Sequence, residues 1–311
     1  MTSDRTVVPL VPRRRLSGLA FGAVESVRRG RGFDVAATRP YQPGDRVDAI
    51  DWKTSARLST ARDGDVFVVR EHHAEEAPRV VVVCDRRPEL GAGAAGLPVL
   101  DKAAAVRAVV DLLVRSVAAA HGLLGYLDVA GGDGADEGGY WRPPRGQAQA
   151  EAVQARLATA PWDAPPDAVG RALERLARTR ADVPAGSFVF LVSDFLAPPP
   201  PDLWAHVLGR GWELVPVVVQ DPVWERDFPA IASVVTPVRD PRSGRVALVR
   251  LSEDEVAARR AANRRRFAAI VEQLEARDLT PVLVSSADSE DVLEAFHTWD
   301  ARRRLARGRV W

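Results

Sequence analysis

Strand-length apolar runs that alternate with amphipathic helical segments constrain the fold of this chain more than any other feature. The run Val80–Cys84 is apolar throughout, and the runs 187–193 and 212–219 are nearly so. Such runs are typical of strands buried on both faces of a parallel sheet. Between them, the segment 101–120 places valine and leucine three and four residues apart, as an amphipathic helix does. The alternation predicts an α/β domain over 79–306, with a largely parallel, doubly wound sheet.

Weaker segments complete this predicted order. Further strands are predicted at 122–129 and 280–285, and further helices at 146–159, 166–179, 202–209 and 288–306. Residues 222–250 interrupt the alternation, because two strand-like segments, 233–238 and 245–251, flank a turn that contains proline and glycine. This pattern predicts an inserted β-hairpin. Ser252 and Glu255 have the spacing of a capping box, which predicts a helix from there to about residue 276.

The first quarter of the chain has a different residue pattern. Residues 1–16 are polar and contain prolines, so we predict a loose N-terminal arm. Residues 17–78 are predicted to form a small β-rich extension, with a short helix at 17–28 and strands at 33–38 and 65–71. The extension leads directly into the α/β domain at residue 79.

Composition and charge restrict the functional class. The 311 residues are 46% hydrophobic and 27% charged, which is the balance of a globular protein, and the net charge of +1 gives no overall field for nucleic acid or a membrane. No apolar run reaches the length of a membrane-spanning helix, and no apolar core follows the basic residues 13–15, so we expect neither a transmembrane segment nor a signal peptide. A single cysteine fits a reducing compartment, and the expected location is the cytoplasm.

A charged segment with aromatic residues, 39–57, lies between the two strands predicted for the extension. Its composition allows two interpretations: a solvated charged loop, or an ion-paired turn packed on a domain. In the second interpretation Ile50 and Trp52 are buried against the α/β domain, and the turn is held by hydrogen bonds or ion pairs of Asp45, Asp51 and Arg57. The distinctive residues of the segment are Arg39, Tyr41, Pro43, Gly44, Asp45, Ile50, Asp51, Trp52, Ser55, Ala56 and Arg57.

These residues resemble the signature of a bacterial group, domain-of-unknown-function family 58. The segment departs from the family pattern at Arg46 and Asp48, where the family usually has an acid and then an arginine. The resemblance implies a von Willebrand factor A-like fold. It also implies a non-enzymatic role as an accessory or assembly factor that works with a MoxR-type AAA+ ATPase. The resemblance does not identify a client protein.

Two acids occupy the positions where such folds bind ligands. Asp85 and Asp194 each follow a predicted buried strand, and ligands bind at the carboxyl ends of strands in doubly wound sheets. Metal-binding von Willebrand A domains have two serines shortly after the first aspartate, but this chain has Arg87 and Glu89 there. We therefore predict a degenerate metal-ion-dependent adhesion site without bound Mg²⁺, in which an Asp85–Arg87 ion pair replaces the metal. Asp85, Arg87, Glu89 and Asp194 are the predicted partner-binding edge.

Two other functional classes stay open. The first is a metal-dependent hydrolase at the Asp85/Asp194 edge, for which the sequence offers no P-loop, nucleophile elbow or spaced Cys/His set. Cys84 lies inside an apolar strand, where a core residue is the expected role. The second is a binder of nucleic acid or of an anionic membrane surface through the arginine clusters at 13–15, 259–266 and 302–309. The clusters lack interleaved aromatic residues, so we expect no nucleic-acid binding.

Overall fold

The computed structural model describes residues 6–10, 35–42, 47, 50–62, 66–72, 77–92, 100–131, 139–145, 149–179, 181–228 and 232–307. The chain divides into two compact units, one of residues 17–77 and one of residues 1–16 with 78–311. The helix predicted at 17–28 lies outside the described residues, as do Pro43, Gly44 and Asp45 of the signature segment.

The smaller unit contains a two-stranded antiparallel sheet and one helix. Strand β1, Val35–Pro40, pairs with β2, Val68–His72, and helix α1, Trp52–Arg62, lies between them in the chain. The helix is a correction, because the sequence predicted only a turn at its start. It begins where Asp51 caps it: the Asp51 carboxylate accepts hydrogen bonds from the backbone N–H (3.1 Å) and the hydroxyl (2.7 Å) of Thr54.

Two signature residues attach α1 to β2. The backbone N–H of Asp51 donates to the carbonyl of Val68 at 2.9 Å, and the backbone N–H of Val68 donates to Ser55 Oγ at 3.0 Å. Both Asp51 and Ser55 are buried. Next to this contact Ile50 forms an isolated antiparallel bridge with Val69. The start of the helix and the first residues of the strand therefore satisfy each other's polar groups.

The expected burial of Trp52 is wrong. Its side chain is 59% exposed and meets the ring of Phe67 edge-on, with ring centroids 6.1 Å apart. Ile50 is half-buried and Arg57 is exposed. Trp52 is the first residue of α1, and the buried contacts at this end of the helix are made by Asp51 and Ser55 instead. The contacts that hold the start of this helix are thus made by Asp51 and Ser55.

The larger unit begins with strand β3, Arg79–Cys84, which a short helix α2, Pro88–Gly91, and the long helix α3, Lys102–Ala119, follow. The remaining strands are β4, Leu123–Asp128; β5, Tyr140–Arg145; β6, Phe188–Ser193; β7, Glu213–Val219; β8, Val235–Arg239; β9, Val246–Arg250; and β10, Val282–Val284. The remaining helices are α4, Gln149–Thr159; α5, Ala168–Arg178; α6, Pro201–Leu208; a π-helical turn, Pro222–Asp227; α7, Glu253–Glu275; and α8, Ser289–Arg307.

The central sheet has the strand order β10-β7-β6-β3-β4-β5. All neighbours are parallel except β5, which is antiparallel to β4. The predicted α/β class with a largely parallel sheet is therefore confirmed. Chain order reverses direction between β3 and β6, and the crevice beyond their carboxyl ends is where doubly wound sheets bind ligands.

Alternate residues of the strands enter two separate cores. On one face Val80, Val82 and Cys84 pack with α3, α4 and α8, and on the other Val81 and Val83 pack with α5, α6 and α7. This division follows from the two-residue period of a strand, and it explains why the run is apolar at every position. Because helices cover both faces of the sheet, they leave uncovered its two ends, where the strands begin and finish. We call these ends the rims of the sheet.

Residues 6–10 belong to the first of these cores. Val8 and Leu10 are buried there, and the backbone N–H of Val8 donates to Ser116 Oγ of α3 at 3.0 Å. The prediction of a loose arm is wrong for these residues. The two buried apolar side chains and the hydrogen bond to Ser116 together attach this polar stretch to the core.

The inserted hairpin of β8 and β9 forms a separate two-stranded sheet. After it, Ser252 and Glu255 form the predicted capping box at the start of α7. None of the helices in the described ranges combines the length and the apolar composition that crossing a bilayer requires.

Candidate functional site

Several strands of the central sheet end in an aspartate at the same rim. Asp85 follows β3, Asp194 follows β6, Asp128 is the last residue of β4 and Asp221 lies two residues after β7. All four side chains are buried. Asp85 and Asp194 flank the crevice between β3 and β6, so the sheet places the two predicted acids where a ligand site is expected.

Arg87 lies between these two acids. Its Nε donates to both carboxylate oxygens of Asp85, at 3.1 and 2.9 Å, and its Nη2 donates to Oδ2 of Asp85 at 2.7 Å. The same Nη2 contacts Oδ1 of Asp194. Ser193 adds a hydroxyl donor to Asp85 Oδ2 at 2.6 Å. The predicted Asp85–Arg87 pair is present, and it extends to Asp194.

A second cation continues the cluster. Lys102, the first residue of α3, places its Nζ 3.6 Å from Oδ2 of Asp194 and in contact with Glu225 of the π-helical turn. Glu225 also accepts the backbone N–H of Asp221 at 2.5 Å. We call the set Asp85, Arg87, Asp194, Lys102 and Glu225 the rim cluster. It joins β3, β6, α3 and the π-helical turn through buried charges.

Burial and pairing act in opposite directions on these groups. Burial lowers the pKa of Arg87, but the hydrogen bonds that Arg87 donates to Asp85 and the charge of Asp194 outweigh it, so the Arg87 pKa is raised above its ordinary value. Burial raises the pKa of Glu225, and the nearby charge of Lys102 opposes this without cancelling it. Arg87 is therefore a permanent cation, and the pKa of Glu225 lies above its ordinary value.

Backbone donors and acceptors complete the rim cluster. The backbone N–H of Arg87 donates to Asp85 at 3.1 Å, and that of Leu196 donates to Asp194 at 3.0 Å. The side chain of Gln220 donates to the carbonyl of Asp194 at 2.6 Å. Buried charges are stable only when further hydrogen bonds satisfy their remaining lone pairs, and these contacts add such bonds at Oδ1 of Asp85 and Oδ1 of Asp194.

A separate ion pair fills the neighbouring strand end. Arg156 of α4 donates to both oxygens of Asp128, at 2.9 and 2.6 Å, and to the carbonyl of Ala130 at 2.8 Å. Its guanidinium also lies over the ring of Tyr140, 4.7 Å from the centroid. The hydrogen bond to Asp128 raises the pKa of Arg156. Asp128 is thus paired with an arginine, as Asp85 is with Arg87.

Arg86 supports the loop that follows β3. Its side chain is buried, donates to the carbonyls of Pro161 (3.1 Å) and Ala160, and lies over the ring of Trp162 at 4.4 Å. A Cβ at Gly91 would overlap the same Trp162 ring, so only glycine fits at the end of α2. These contacts hold the backbone on which Arg87 is presented to Asp85.

The predicted partner-binding edge needs a correction. Arg87 is 4% exposed, and Asp85 and Asp194 are 1% and 0% exposed, so these three side chains are turned toward one another and not toward a partner. The reason is the short loop, which folds Arg87 back over the strand that precedes it. Glu89 alone reaches the surface, where Arg242 of the inserted hairpin holds it with bonds of 2.6 and 3.0 Å.

The site residues do not fit a divalent metal. Magnesium requires carboxylate and hydroxyl oxygens with room for several waters. Here the oxygens of Asp85 accept hydrogen bonds from Arg87 and Ser193, and Asp194 faces two cations. Within the described ranges, no group of three or more His, Cys, Asp or Glu side chains has a metal-binding arrangement.

The other sequence candidates are also located. Cys84 is buried, and burial raises its pKa to about 12, which suits a core residue. In the arginine cluster of α7, Arg264 pairs with Asp227 through bonds of 3.0 and 2.5 Å. In the cluster of α8, Arg303 is buried and Arg304 pairs with Asp300 at 2.7 Å. The arginines at 13–15 lie outside the described residues.

Sequence reasoning missed Lys102, Glu225 and the pair Asp128–Arg156. A signal for Asp128 exists, since it ends an apolar strand just as Asp85 and Asp194 follow theirs. Lys102 and Glu225 carry no such signal. They are far apart in the chain, in segments whose charges look like those of ordinary helix surfaces, and only the fold brings them together.

Comparison with solved structures finds distant likenesses. The conserved hypothetical protein BatB from Bacteroides thetaiotaomicron is 14% identical over 73% of this chain and 99% of that one, with a TM-score of 0.42. An aerotolerance-related membrane protein from Bacteroides fragilis NCTC 9343 is 14% identical over 72% of this chain and 99% of that one, also with a TM-score of 0.42. The pilus adhesin SpaC from Lactobacillus rhamnosus GG is 12% identical over 75% of this chain and 31% of that one, with a TM-score of 0.36. These scores are too low to support a functional assignment.

A search of curated proteins gave no match. The family comparison is more informative, because one family profile matches residues 37–273, well over half of the chain, and spans both the signature segment and the rim cluster. On this match the chain belongs to the family described as protein of unknown function DUF58.

Proposed function

We propose that this protein is a non-enzymatic interaction module, an accessory or assembly factor for a MoxR-type AAA+ ATPase. We further propose that its larger unit is a von Willebrand A-like domain whose metal-ion-dependent adhesion site has degenerated. The observation that carries the proposal is the position of Arg87. Its guanidinium binds Asp85 and Asp194 together, in the crevice at the carboxyl ends of β3 and β6.

The strand order supports the domain assignment. Five parallel strands and one antiparallel edge strand, with chain order reversing between β3 and β6, form a doubly wound sheet with one ligand crevice. The resemblance of the signature segment implies the same class of domain. In this interpretation Arg87 supplies the positive charge that a metal ion supplies in related domains, and it supplies it permanently.

The rim cluster argues against the hydrolase alternative. A general base or a metal-activating carboxylate has to reach substrate or water. Asp85 and Asp194 are buried, and their oxygens are engaged by Arg87, Ser193 and Lys102. A structural ion cluster also perturbs pKa values, so the shifts of Arg87 and Glu225 are no sign of catalysis.

The exposed part of this rim is the π-helical turn. Trp224 is 39% exposed and Val223 is similarly exposed, while Glu225 of the same turn is buried in the rim cluster. The ring of Trp224 packs against that of Phe228 with centroids 4.1 Å apart and the ring planes tilted by 38°. An exposed tryptophan on a rigidly held turn is a typical interface anchor. We assign the partner contact to this turn, in place of the buried acids.

The test is capture of a MoxR-type ATPase from the same genome by the full chain, with and without EDTA. We expect capture that EDTA does not change and that Trp224→Ser weakens. Leu305→Ser is the matched control, because Leu305 is an exposed apolar side chain of α8. Capture that EDTA abolishes contradicts the metal-free site, and equal capture by both variants contradicts the contact surface. Absence of capture by the wild-type chain contradicts the proposed partner.

A calorimetric titration with Mg²⁺ addresses the site directly. Since both carboxylates already have cationic partners, we expect no binding tighter than about millimolar, the weak end of the range for oxygen-ligand sites. Micromolar binding that Asp85→Ala removes would contradict the degenerate site.

A further inference from the structure

The inserted hairpin is anchored at its turn. Arg242, in the turn between β8 and β9, donates from Nε and Nη2 to the two oxygens of Glu89, at 2.6 and 3.0 Å. Its Nη1 also reaches the carbonyl of Ala164 at 3.4 Å. At the other end, the backbone N–H of Ser233 donates to the carbonyl of Leu251 at 2.7 Å. The hairpin is thus anchored at its turn and closed at its base by its own backbone, while one face of its strands stays accessible.

One face of the hairpin is apolar and exposed. Pairing places Val235, Pro237 and Arg239 opposite Arg250, Leu248 and Val246, so these six side chains share a face. The exposed fractions of Val235, Val246 and Leu248 are 53%, 62% and 73%. The other face, with Thr236, Val238 and Val249, is half-buried. Exposed apolar faces of this kind mark interaction sites when polar residues surround them.

The hydrogen-bond pattern distinguishes the two outer edges. The backbone N–H of Asp240 donates to the carbonyl of Arg245 at 2.9 Å, so this pair points inward. In an antiparallel ladder, alternate residues point outward, which directs the backbone groups of Val246, Leu248 and Arg250 away from β8. On β8 the corresponding central position is Pro237, which has no N–H. Proline therefore blocks the edge of β8, whereas the edge of β9 is complete.

Neither outer edge pairs with another strand of the described residues.

The charge of the hairpin further restricts the kind of partner. Residues 235–250 contain four arginines and one aspartate. Arg242 is paired with Glu89, but no carboxylate of the described residues lies within ion-pair distance of Arg239, Arg245 or Arg250. These arginines border the apolar face, so the hairpin presents an apolar strip with a positive rim and an open strand edge.

We propose that the β9 edge binds an acidic, extended segment of a partner protein, which adds to the hairpin as a third strand. Its backbone pairs with Val246, Leu248 and Arg250, its apolar side chains cover the exposed face, and its carboxylates meet Arg239 and Arg250. Strand addition gives affinity through backbone hydrogen bonds and specificity through alternate side chains. The proposal does not depend on the ATPase partnership, because it specifies only the chemistry of the segment.

The test uses the full chain and a fluorescent peptide that alternates glutamate with valine, with a lysine–valine peptide as the charge control. We expect the glutamate peptide to bind, binding to weaken as salt rises, and Val246, Leu248 and Arg250 amides to gain protection from hydrogen exchange. The double variant Arg239→Glu/Arg250→Glu should lower affinity by about tenfold or more, since like charges then face the peptide. Arg107→Glu/Arg115→Glu, on exposed positions of α3, is the control with the same net charge and should bind normally.

Two proline-related variants test the edge itself. Leu248→Pro removes the central outward donor of β9 while leaving the inward ladder, and it should abolish binding. Pro237→Thr restores a donor to β8 and should leave binding unchanged. Equal binding of both peptides, or peptide binding that survives Leu248→Pro, overturns the proposal. So does a chain that binds phosphatidylserine vesicles or a second copy of itself through this hairpin and ignores the peptide. Capture of the ATPase by the Leu248→Pro variant is measured separately from peptide binding. Failure of this proposal and failure of the proposed function are therefore distinguishable.

Discussion

Replacing Arg87 with methionine tests the reasoning about the rim cluster most directly. Methionine keeps most of the volume of the side chain but removes the charge and every donor of the guanidinium. Asp85 then loses its cation and three hydrogen bonds, and Asp194 loses one of its two cations. Both carboxylates stay buried.

The expected cost follows from these contacts. Removing one partner of a buried ion pair costs about 3–5 kcal/mol, because the remaining charge has no compensation. Lys102 stays 3.6 Å from Asp194, so the uncompensated charge is mainly that of Asp85. We therefore expect the lower end, about 3 kcal/mol. For a domain of this size that corresponds to a melting temperature about 6–12 °C lower.

Urea denaturation of the full chain, followed by tryptophan fluorescence, measures this quantity. Trp204, Trp212 and Trp299 are buried in the larger unit, so the signal reports the unit that contains the rim cluster. The midpoint should fall while the slope of free energy against urea stays constant, because the surface exposed on unfolding is unchanged. A changed slope would mean that the variant alters the native or the denatured state itself.

Two comparisons make the result interpretable. Arg171→Met breaks an exposed pair between Arg171 of α5 and Asp167 just before this helix, and such pairs contribute only about 0.3–0.5 kcal/mol. The double variant Asp85→Asn/Arg87→Met removes both charges and should recover much of the loss. If Arg87→Met is no less stable than Arg171→Met, or if the double variant recovers nothing, the ion cluster does not stabilise this rim as argued.

The remaining predictions concern both units. Asp51→Ala should destabilise the start of α1 by about 1 kcal/mol through loss of the N-cap, which hydrogen exchange should show as faster exchange across 52–62. Trp52→Ala, at an exposed position, should leave this exchange unchanged. Equal effects of the two variants would refute the cap. Because the pKa of Glu225 is raised, the folded state binds more protons than the unfolded state above the ordinary value of 4.5, so stability falls as pH rises toward the folded pKa. Glu225→Gln should remove this fall in urea titrations across that range, and an unchanged pH profile would show that Glu225 is not its source. Arg87→Ser removes the guanidinium from both acids and adds a hydroxyl, so Mg²⁺ should raise the melting temperature of this variant more than that of the wild type. Equal shifts in thermal scans would contradict the replacement of a metal by arginine.

Much of the larger unit could be predicted from the sequence, and for a local reason. A strand covered on both faces needs apolar residues at consecutive positions, so runs such as Val80–Cys84 specify both the strand and its place in the sheet. The capping box at Ser252 and the turn residues of the inserted hairpin are equally local. The positions of Asp85 and Asp194 at one rim followed from the same argument, because parallel strands share a carboxyl edge.

Other features could not be predicted because they depend on direction or on distant partners. The sequence placed Trp52 in a core, but its side chain is exposed at the first position of α1 and meets only the ring of Phe67 edge-on among its aromatic neighbours in the described residues. It placed Val8 and Leu10 in a loose arm, but α3 and the sheet provide a surface that covers them.

The sequence by itself determined the class of fold, the rim where charge gathers and the pairing of Asp85 with the nearby Arg87, since each follows from spacing along a few residues. Only the tertiary structure decided that Arg87 also binds Asp194, that Lys102 and Glu225 close the cluster and that these groups face inward. The physical reason is that burial, and with it the strength of every charge interaction, depends on the packing of segments that lie far apart in the chain.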